Sequence, residues 1–533
     1  VETPADTSHG DFASNVALVL SGRLGRPPRD LAAELAERLD LSATGISEIA
    51  VAGPGFLNFT LSDEVIREGL RSVLELERNW GRSVAAQPLR YNVEFVSANP
   101  TGPLHVAHGR GAAIGDATAS LLEWTGHEVA REFYVNDAGR QIELLGESIE
   151  ARWRQAGGFP EEMPEGGYQG DYVREMAGTL AEEIGEAGLE SLERSERIRM
   201  FSDRATQLLR GEQERDLADF GVRMNLWFDE SSLFAAGGVE ELLGRLIESG
   251  RAYRDEGALW LRTTDLGDEK DRVLVKSDGS YTYFVSDIAY HLDKAARGFE
   301  RTIDVWGADH HGHVPRMQAA LTALGLAEGF LEVLLIQLVT VMRGGREVRM
   351  SKRAGQFVTL RDLYMETGPD VARYFFLMRR AEVPMTFDLD LALDTSDANP
   401  VYKVQYAHAR ICSVFRKGEV NPEGMAPGDA ELGYLDAGTE RQVLMTVLRF
   451  PERVRSAALA RAPYQICNYL EELAGSVNSW YHEGNLDPSR RLLAEGPARP
   501  ARLALARAVQ LTLASGLTLL GISAPERLER EGE

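Results

Sequence analysis

The spacing of apolar positions changes character three times along the chain. Near the start, leucine and alanine recur at helical spacing over residues 31–40, behind Pro27 and Pro28, with Asp30 as the candidate N-cap. A Gly/Pro turn then leads into an alternating stretch within 51–60 that reads as a strand. Together these predict a small α+β domain over residues 1–88. From residue 89 the pattern is that of an α/β unit. Tyr91, Val93 and Phe95 alternate with Asn92 and Glu94 as in a strand, and residues 109–124 place Ile114, Ala117, Leu121 and Leu122 on one helical face that Gly126 ends. A second strand is expected at 129–135. Strand, helix and strand in so short a span make the βαβ unit of a doubly wound sheet. A charged helical stretch at 157–227 reads as an insertion, and strands are expected again at 258–262, 273–275 and 302–306. This α/β domain is predicted over 89–397. Residues 398–533 keep helical spacing almost throughout, interrupted by loops near 418–428 and 484–488, and predict an all-α bundle.

Bulk properties narrow the setting. A chain of 533 residues has room for about three or four domains. It has no apolar run long enough to span a bilayer, so no membrane association is expected. It opens Val1-Glu2-Thr3-Pro4, without an initiator methionine or a secretory leader. Cys412 and Cys467 are its only cysteines, which gives neither a disulfide framework nor a structural zinc site and suits a reduced cytoplasm. A net charge of −24 argues against indiscriminate nucleic-acid binding. Residues 401–533, however, hold 16 Lys/Arg against 16 Asp/Glu, so the acidic excess lies wholly in 1–400. The last quarter is the part least hostile to a phosphate backbone.

Four constellations could carry chemistry. The first runs from Glu94 through Ser97 and Asn99 to His105, His108, Gly109 and Gly111. A strand ends, a Gly/Pro loop turns, and two histidines three apart open a helix, whose N-terminus offers N–H groups and a positive dipole end to phosphate. The plainer reading is that the histidines cap a turn. Gly109, Gly111 and Gly115 also resemble a loose dinucleotide fingerprint, but such a fingerprint begins directly after its strand, and here a long proline-containing loop intervenes. The second is Arg349-Met350-Ser351-Lys352-Arg353, a glycine-flanked cationic segment able to neutralise a leaving pyrophosphate, or else a solvated basic loop. The third, Asp309-His310-His311-Gly312-His313, follows a strand; it admits zinc, or a substrate site at a strand's carboxyl end. In the fourth, Tyr283 and Asp287 are four apart and share a helical face. A carboxylate there could grip a guanidinium through paired hydrogen bonds, or simply belong to a helix cap.

Taken together, the first two constellations resemble the His-x-Gly-His and Lys-Met-Ser-Lys signatures of class I aminoacyl-tRNA synthetases. The surrounding words, from Glu94 to Gly111, from Tyr134 to Gly139, from Val305 to His313 and from Asn399 to Cys412, are similar to the bacterial arginyl-tRNA synthetases. The stretches Gly10–Asn15 and Gly53–Asn58 resemble that family's N-terminal domain, whose first residues are expected to be missing here, and Leu519–Pro525 resembles its C-terminal end. The resemblance implies a Rossmann-like catalytic domain between an N-terminal domain that touches the tRNA elbow and a C-terminal bundle that reads the anticodon. It implies that His105 and His108 contact ATP phosphates, with Gly109 and Gly111 beside them. Lys352 would stabilise the transition state, while Met350, Ser351 and Arg353 shape the loop. Asp287 and Tyr283 would read the arginine guanidinium. Ser97 and Asn99 would hold the amino-acid end, helped by Asp309. Phe56 and Asn58 would meet the tRNA elbow, and Tyr402, Gln405, Tyr406 and Arg410 would lie near the anticodon.

The activity so implied is ligation of L-arginine to tRNA(Arg) through an arginyl-adenylate, using ATP with Mg²⁺ and no structural zinc, in a cytoplasmic monomer. The arginyl group would go to the 2′-hydroxyl of the terminal adenosine, and the first step would need tRNA. Two positions depart from the signatures. Ala107 stands where glycine lets adenosine approach the backbone, and Arg349 replaces the first lysine. The alternatives are a class I synthetase for another amino acid, or a non-catalytic tRNA-binding paralogue.

Overall fold

The computed structural model describes residue 4 and residues 9–42, 44–137, 139–235, 237–348, 359–435 and 438–528. The first part of the chain runs β1 (Phe12–Ser14), α1 (Val16–Leu24), α2 (Pro28–Arg38), β2 (Ile46–Ala52), β3 (Phe56–Leu61) and α3 (Asp63–Leu76). Its strands form an antiparallel sheet in the order β1-β3-β2. The Gly/Pro turn leads into β3, as expected, and joins it to β2 as a hairpin. Gly53 (φ 50°) and Gly55 (φ 138°) take backbone angles that side chains resist, and a Cβ on Gly55 would sit 2.8 Å from the Pro28 carbonyl. Helix α2 starts earlier than expected. Pro27 takes the cap position and Asp30 falls in the first turn, where its charge meets the positive end of the helix dipole.

The middle part runs β4 (Arg90–Glu94), α4 (Val106–Trp124), β5 (Glu128–Val135), α5 (Arg140–Ala156), α6 (Asp171–Ile184), α7 (Glu186–Ser191), α8 (Arg194–Asp219) and β6 (Leu226–Asp229). It continues through α9 (Ser231–Ala235), α10 (Gly238–Glu248), β7 (Ala252–Asp255), β8 (Ala258–Leu261), β9 (Arg272–Val275), α11 (Tyr283–Ala296), β10 (Arg301–Gly307), α12 (Val314–Ala323) and β11 (Leu331–Ile336). Then come β12 (Val339–Arg343), β13 (Arg346–Glu347), α13 (Leu360–Thr367), α14 (Pro369–Leu377), β14 (Met385–Asp388) and α15 (Leu389–Ala392). Five strands pair in parallel in the order β11-β10-β4-β5-β6. The order reverses between β4 and β10, which makes their carboxyl ends the switch point where doubly wound sheets leave a crevice.

Two of the strands expected in this sheet lie elsewhere. Residues 258–261 and 272–275 join β7 in a separate antiparallel sheet, β7-β8-β9. The edges of the parallel sheet are instead β6 and β11. Strand β6 begins at residue 226, inside the end of the stretch expected as insertion; both edge strands are short or only half-buried, and they carry little alternation.

The last part is helical: α16 (Pro400–Lys417), α17 (Asp429–Leu432), α18 (Gly438–Leu448), α19 (Phe450–Ala460), α20 (Tyr464–Leu486) and α21 (Arg499–Leu519). One continuous apolar core joins α3, one face of the parallel sheet and this bundle. A second core packs α10, α11 and α12 over β7-β8-β9, and a third joins α5, α6 and α8. Among the described residues no helix is long and apolar enough to cross a membrane.

Candidate active site

At the exit of β4 two successive residues other than glycine, Val96 (φ 72°) and Ser97 (φ 42°), adopt left-handed backbone. Such conformations cost about 1–3 kcal/mol each and persist only where their surroundings impose them. Here Ser97 Oγ donates to Glu94 Oε1 (2.8 Å) and accepts from the Tyr134 N–H (3.2 Å), which ties the turn to β4 and β5 at once. The turn opens onto a cavity of ≈270 Å³ whose walls include Glu94, Ser97, Asn99, Tyr134, Asp287, Trp306 and His313. Ser97, Asn99 and Asp287, expected at the amino-acid site, all line this cavity. Tyr283 is not among its walls; it is the first residue of α11 and is 74% exposed, one turn before Asp287. Asp287 meets His313 Nε2 through Oδ2 at 2.9 Å.

Beneath the cavity lies a buried charge cluster that the sequence did not reveal. Lys294 Nζ, fully buried, donates to Glu94 Oε2 (2.7 Å), Asp304 Oδ1 (2.8 Å) and Thr302 Oγ1 (3.2 Å). His291 spans Asp304 Oδ2 (2.9 Å) and the Asp287 carbonyl (2.7 Å), so both ring nitrogens face acceptors. Arg297 and the Tyr290 hydroxyl hold Glu132 beside them. Burial pushes the Glu94 carboxyl above its ordinary range, with Lys294 opposing. Burial acts on Asp304 too, but Lys294 and His291 outweigh it and hold that carboxyl well below the usual range. A visible clue to this cluster was Asp304 itself, a charge between the apolar Ile303 and Val305 of β10.

The histidine pair sits where α4 begins. His105 takes the cap position, and its backbone N–H donates to His108 Nδ1 at 3.2 Å while the rings stack 3.6 Å apart. The capping reading of the histidines is therefore partly right and compatible with the chemical one. A backbone donor on Nδ1 places the proton of a neutral His108 ring on Nε2, a donor suited to phosphate oxygen. The glycines of α4 serve packing, not a dinucleotide. A Cβ on Gly109 would come within 2.5 Å of Leu360, and one on Gly115 within 2.2 Å of Phe95. Gly111, with His105, Ala107, His108, Asp309 and Gln337, lines a second and larger cavity of ≈800 Å³. Arg110, fully buried, fixes one wall of it by donating to the carbonyls of Gln337 (2.8 Å), Arg380 (2.8 Å) and Val383 (2.9 Å); burial lowers its pKa to about 10. The two cavities share Val96, Val305 and Gly307, at the switch point between β4 and β10.

Arg349, Met350, Ser351, Lys352 and Arg353 lie outside the described residues. The chain on either side is placed. Val348 donates its N–H to the Val341 carbonyl (2.9 Å), while Thr359 bridges His105 and the Leu360 N–H reaches the Leu104 carbonyl (2.8 Å). In the third constellation His310 and His313 both stand by Trp306, at 6.0 and 5.6 Å between ring centroids, and His313 also meets Asp287. Among the described residues no group of three His, Cys, Asp or Glu could hold a metal ion.

The positions expected to meet tRNA are spread over two surfaces. In β3, Phe56 is half-buried and Asn58 buried. On α16, Tyr402 and Tyr406 stack at 5.8 Å, and Arg410 lies over Tyr406 (4.6 Å) and Tyr481 (4.8 Å). Gln405 points inward, donating to Asp370 Oδ2 and the Ser523 carbonyl at 3.0 Å each.

Three family profiles match in chain order: an arginyl-tRNA synthetase N-terminal domain over residues 1–61, a class I (R) tRNA synthetase catalytic domain over 72–374 and a DALR anticodon-binding domain over 404–528. The arginine–tRNA ligase of Bacillus subtilis is 44% identical over 99% of this chain and 94% of its own length. That of Nitratidesulfovibrio vulgaris is 48% identical over 99% and 95%. The solved Thermus thermophilus arginyl-tRNA synthetase superposes with a TM-score of 0.77 at 27% identity, covering 99% of this chain and 96% of that one. With its parallel sheet, its histidine-headed helix and its helical C-terminal part in the same arrangement, the chain belongs to the arginyl-tRNA synthetase family of class I.

Proposed function

We propose that the protein joins L-arginine to tRNA(Arg) by way of an arginyl-adenylate, as a cytoplasmic monomer that takes ATP as its Mg²⁺ complex. One observation carries this reading above the others: a small acid-lined cavity and a larger one at a helix mouth adjoin at the sheet's switch point. A cationic amino acid fits the first and a nucleotide the second, with the reacting carboxylate and α-phosphorus at their junction.

Asp287 receives the guanidinium, with His313 fixing one carboxylate oxygen and Tyr283 at the rim. Planar, forked geometry favours arginine over lysine. Ser97 and Asn99 hold the amino-acid end, and Asp309 lies on the nucleotide side. A carboxylate oxygen of arginine attacks the α-phosphorus in line; the bond to the bridging oxygen breaks and pyrophosphate leaves. His105, His108 and the α4 N-terminus stabilise phosphate charge, with Gly111 keeping the approach open, Gly109 seating the helix mouth against Leu360, and Lys352, flanked by Met350, Ser351 and Arg353, neutralising the leaving group. The 2′-hydroxyl of the tRNA's terminal adenosine then attacks the activated carbonyl carbon, AMP leaves, and the hydroxyl proton is lost to solvent or to AMP phosphate. Phe56 serves the tRNA elbow and Tyr406 and Arg410 the anticodon side, where aromatic and guanidinium planes suit unpaired bases, while the buried Asn58, Tyr402 and Gln405 support those surfaces from within. Residues 1–88, 89–397 and 398–533 divide these tasks.

Arginine-dependent ATP–pyrophosphate exchange, measured with and without tRNA, tests the reading. Exchange is expected with arginine and tRNA(Arg) together. Exchange with another amino acid, or none at all beside intact tRNA binding, would favour a different synthetase or a silent paralogue.

A further inference from the structure

Gln213 and Asp216 lie one helical turn apart near the end of α8, each only 1% exposed. Gln213 Nε2 donates to two carbonyls of the loop between β4 and α4, that of Asn99 at 3.2 Å and that of Gly102 at 3.1 Å. A third carbonyl of this loop, Thr101, accepts from the Tyr172 hydroxyl of α6 at 2.8 Å. The loop carries Ser97 and Asn99 at one end and His105 at the other, so it spans the junction of the two cavities. Its last residues pair with the start of α13, through Leu104 and Leu360 and the bridge from His105 to Thr359. Asp216 holds that same partner: Oδ1 accepts from Arg361 Nε (2.8 Å), Arg361 Nη2 (2.6 Å) and the Tyr364 hydroxyl (3.4 Å). One face of one helix thus grips both chains that meet at His105.

Burying an amide and a carboxylate costs desolvation that apolar packing would avoid. Burial does raise the Asp216 pKa, with Arg361 opposing. Apolar packing has no direction, whereas two bonds from one nitrogen to two carbonyls fix an irregular loop to within a fraction of an ångström. We propose that Gln213 and Asp216 are positioning residues for arginine activation: α8 sets the spacing of the 99–105 loop from α13, and with it the geometry in which Asn99 and His105 meet the reacting atoms. The inference rests on the ligase reading above.

The test is arginine-dependent ATP–pyrophosphate exchange on the full chain with tRNA, well below the melting temperature. Gln213→Met keeps the length and removes both donors. Its kcat is expected to fall about 10- to 100-fold, the scale of a sub-ångström to ångström misplacement, while the KM values for arginine and ATP move by less than about 3-fold. Asp216→Ala should behave alike and Asp216→Asn, which keeps an acceptor, should recover most of the rate. The double variant Gln213→Met/Asp216→Ala should lose little more than either alone, because both act on one spacing. A folded Gln213→Met enzyme with kcat within about 2-fold of the parent overturns the inference, whatever its melting temperature. Should that variant not fold, Tyr172→Phe decides: a fall of a few-fold at unchanged melting temperature supports the brace, and an unchanged rate overturns it. An active parent matched by these variants removes the inference alone; a parent without exchange removes the ligase reading itself.

Discussion

The two cavities that meet at the switch point are built on opposite principles. The cavity proposed for arginine is lined with charge: Glu94, Asp287 and Asp304 stand around it, and Lys294 and His291 hold them from beneath. The cavity proposed for the nucleotide is mostly uncharged, with Gly111, Gly307, Ala107 and Ala308 beside Val305, Ile336 and Leu338 at its walls and the two histidines at a helix mouth. The first must distinguish one cation from others, and discrimination comes from desolvated partners left unmatched by the wrong ligand. The second accommodates a molecule common to many enzymes, so close approach and developing-charge stabilisation suffice. A change beneath the first cavity should therefore alter folding or arginine affinity, and a change in the second should alter rate or ATP affinity.

Lys294→Met sharpens this contrast most, because it strips the buried cation from Glu94 and Asp304. Loss of one partner of a buried pair costs about 3–5 kcal/mol, to be read from urea unfolding; a midpoint near the parent's would show that the cluster is not held together by charge. Lys352→Ala should lower the exchange rate by about 10²–10³-fold with folding intact, the scale of one lost transition-state donor. Undiminished aminoacylation would take the cationic segment out of the chemistry. For Asp287→Ala the arginine KM should rise by about 10²-fold at unchanged ATP KM; an unchanged arginine KM would remove Asp287 from the guanidinium site. Ala107→Gly is the mildest. It should lower the ATP KM by a few-fold and cost about 0.5–1 kcal/mol of stability as a helix glycine, and a raised ATP KM would contradict a wall position for Ala107.

Legibility in the sequence followed the same division. Helix α4 and the strand before it could be read directly, since Tyr91, Val93 and Phe95 alternate with polar residues and Ile114, Ala117, Leu121 and Leu122 share one helical face, with a marked Gly/Pro loop between. The motif words also pointed to Ser97, Asn99, His105, His108 and Asp287, which line the two cavities. What stayed hidden depends on distant pairing. The apolar run at 258–261 marks a strand but says nothing of which sheet it joins, and β6 is too short to stand out. Lys294 looks like any charge on an amphipathic helix until β4 and β10 bring Glu94 and Asp304 to it. Gln213 and Asp216 likewise read as ordinary polar positions of a charged helix, because the loop that Gln213 holds lies more than a hundred residues earlier in the chain and the helix that Asp216 holds more than a hundred residues later.

The central claim, that the two cavities form one continuous site, is tested most directly by the binding of a non-hydrolysable arginyl-adenylate analogue, compared by calorimetry with arginine alone and adenosine alone. Joined chambers predict an affinity for the linked molecule greater than that for either part by about 10²-fold or more. An analogue that binds no more tightly than the better of its two halves would contradict the account.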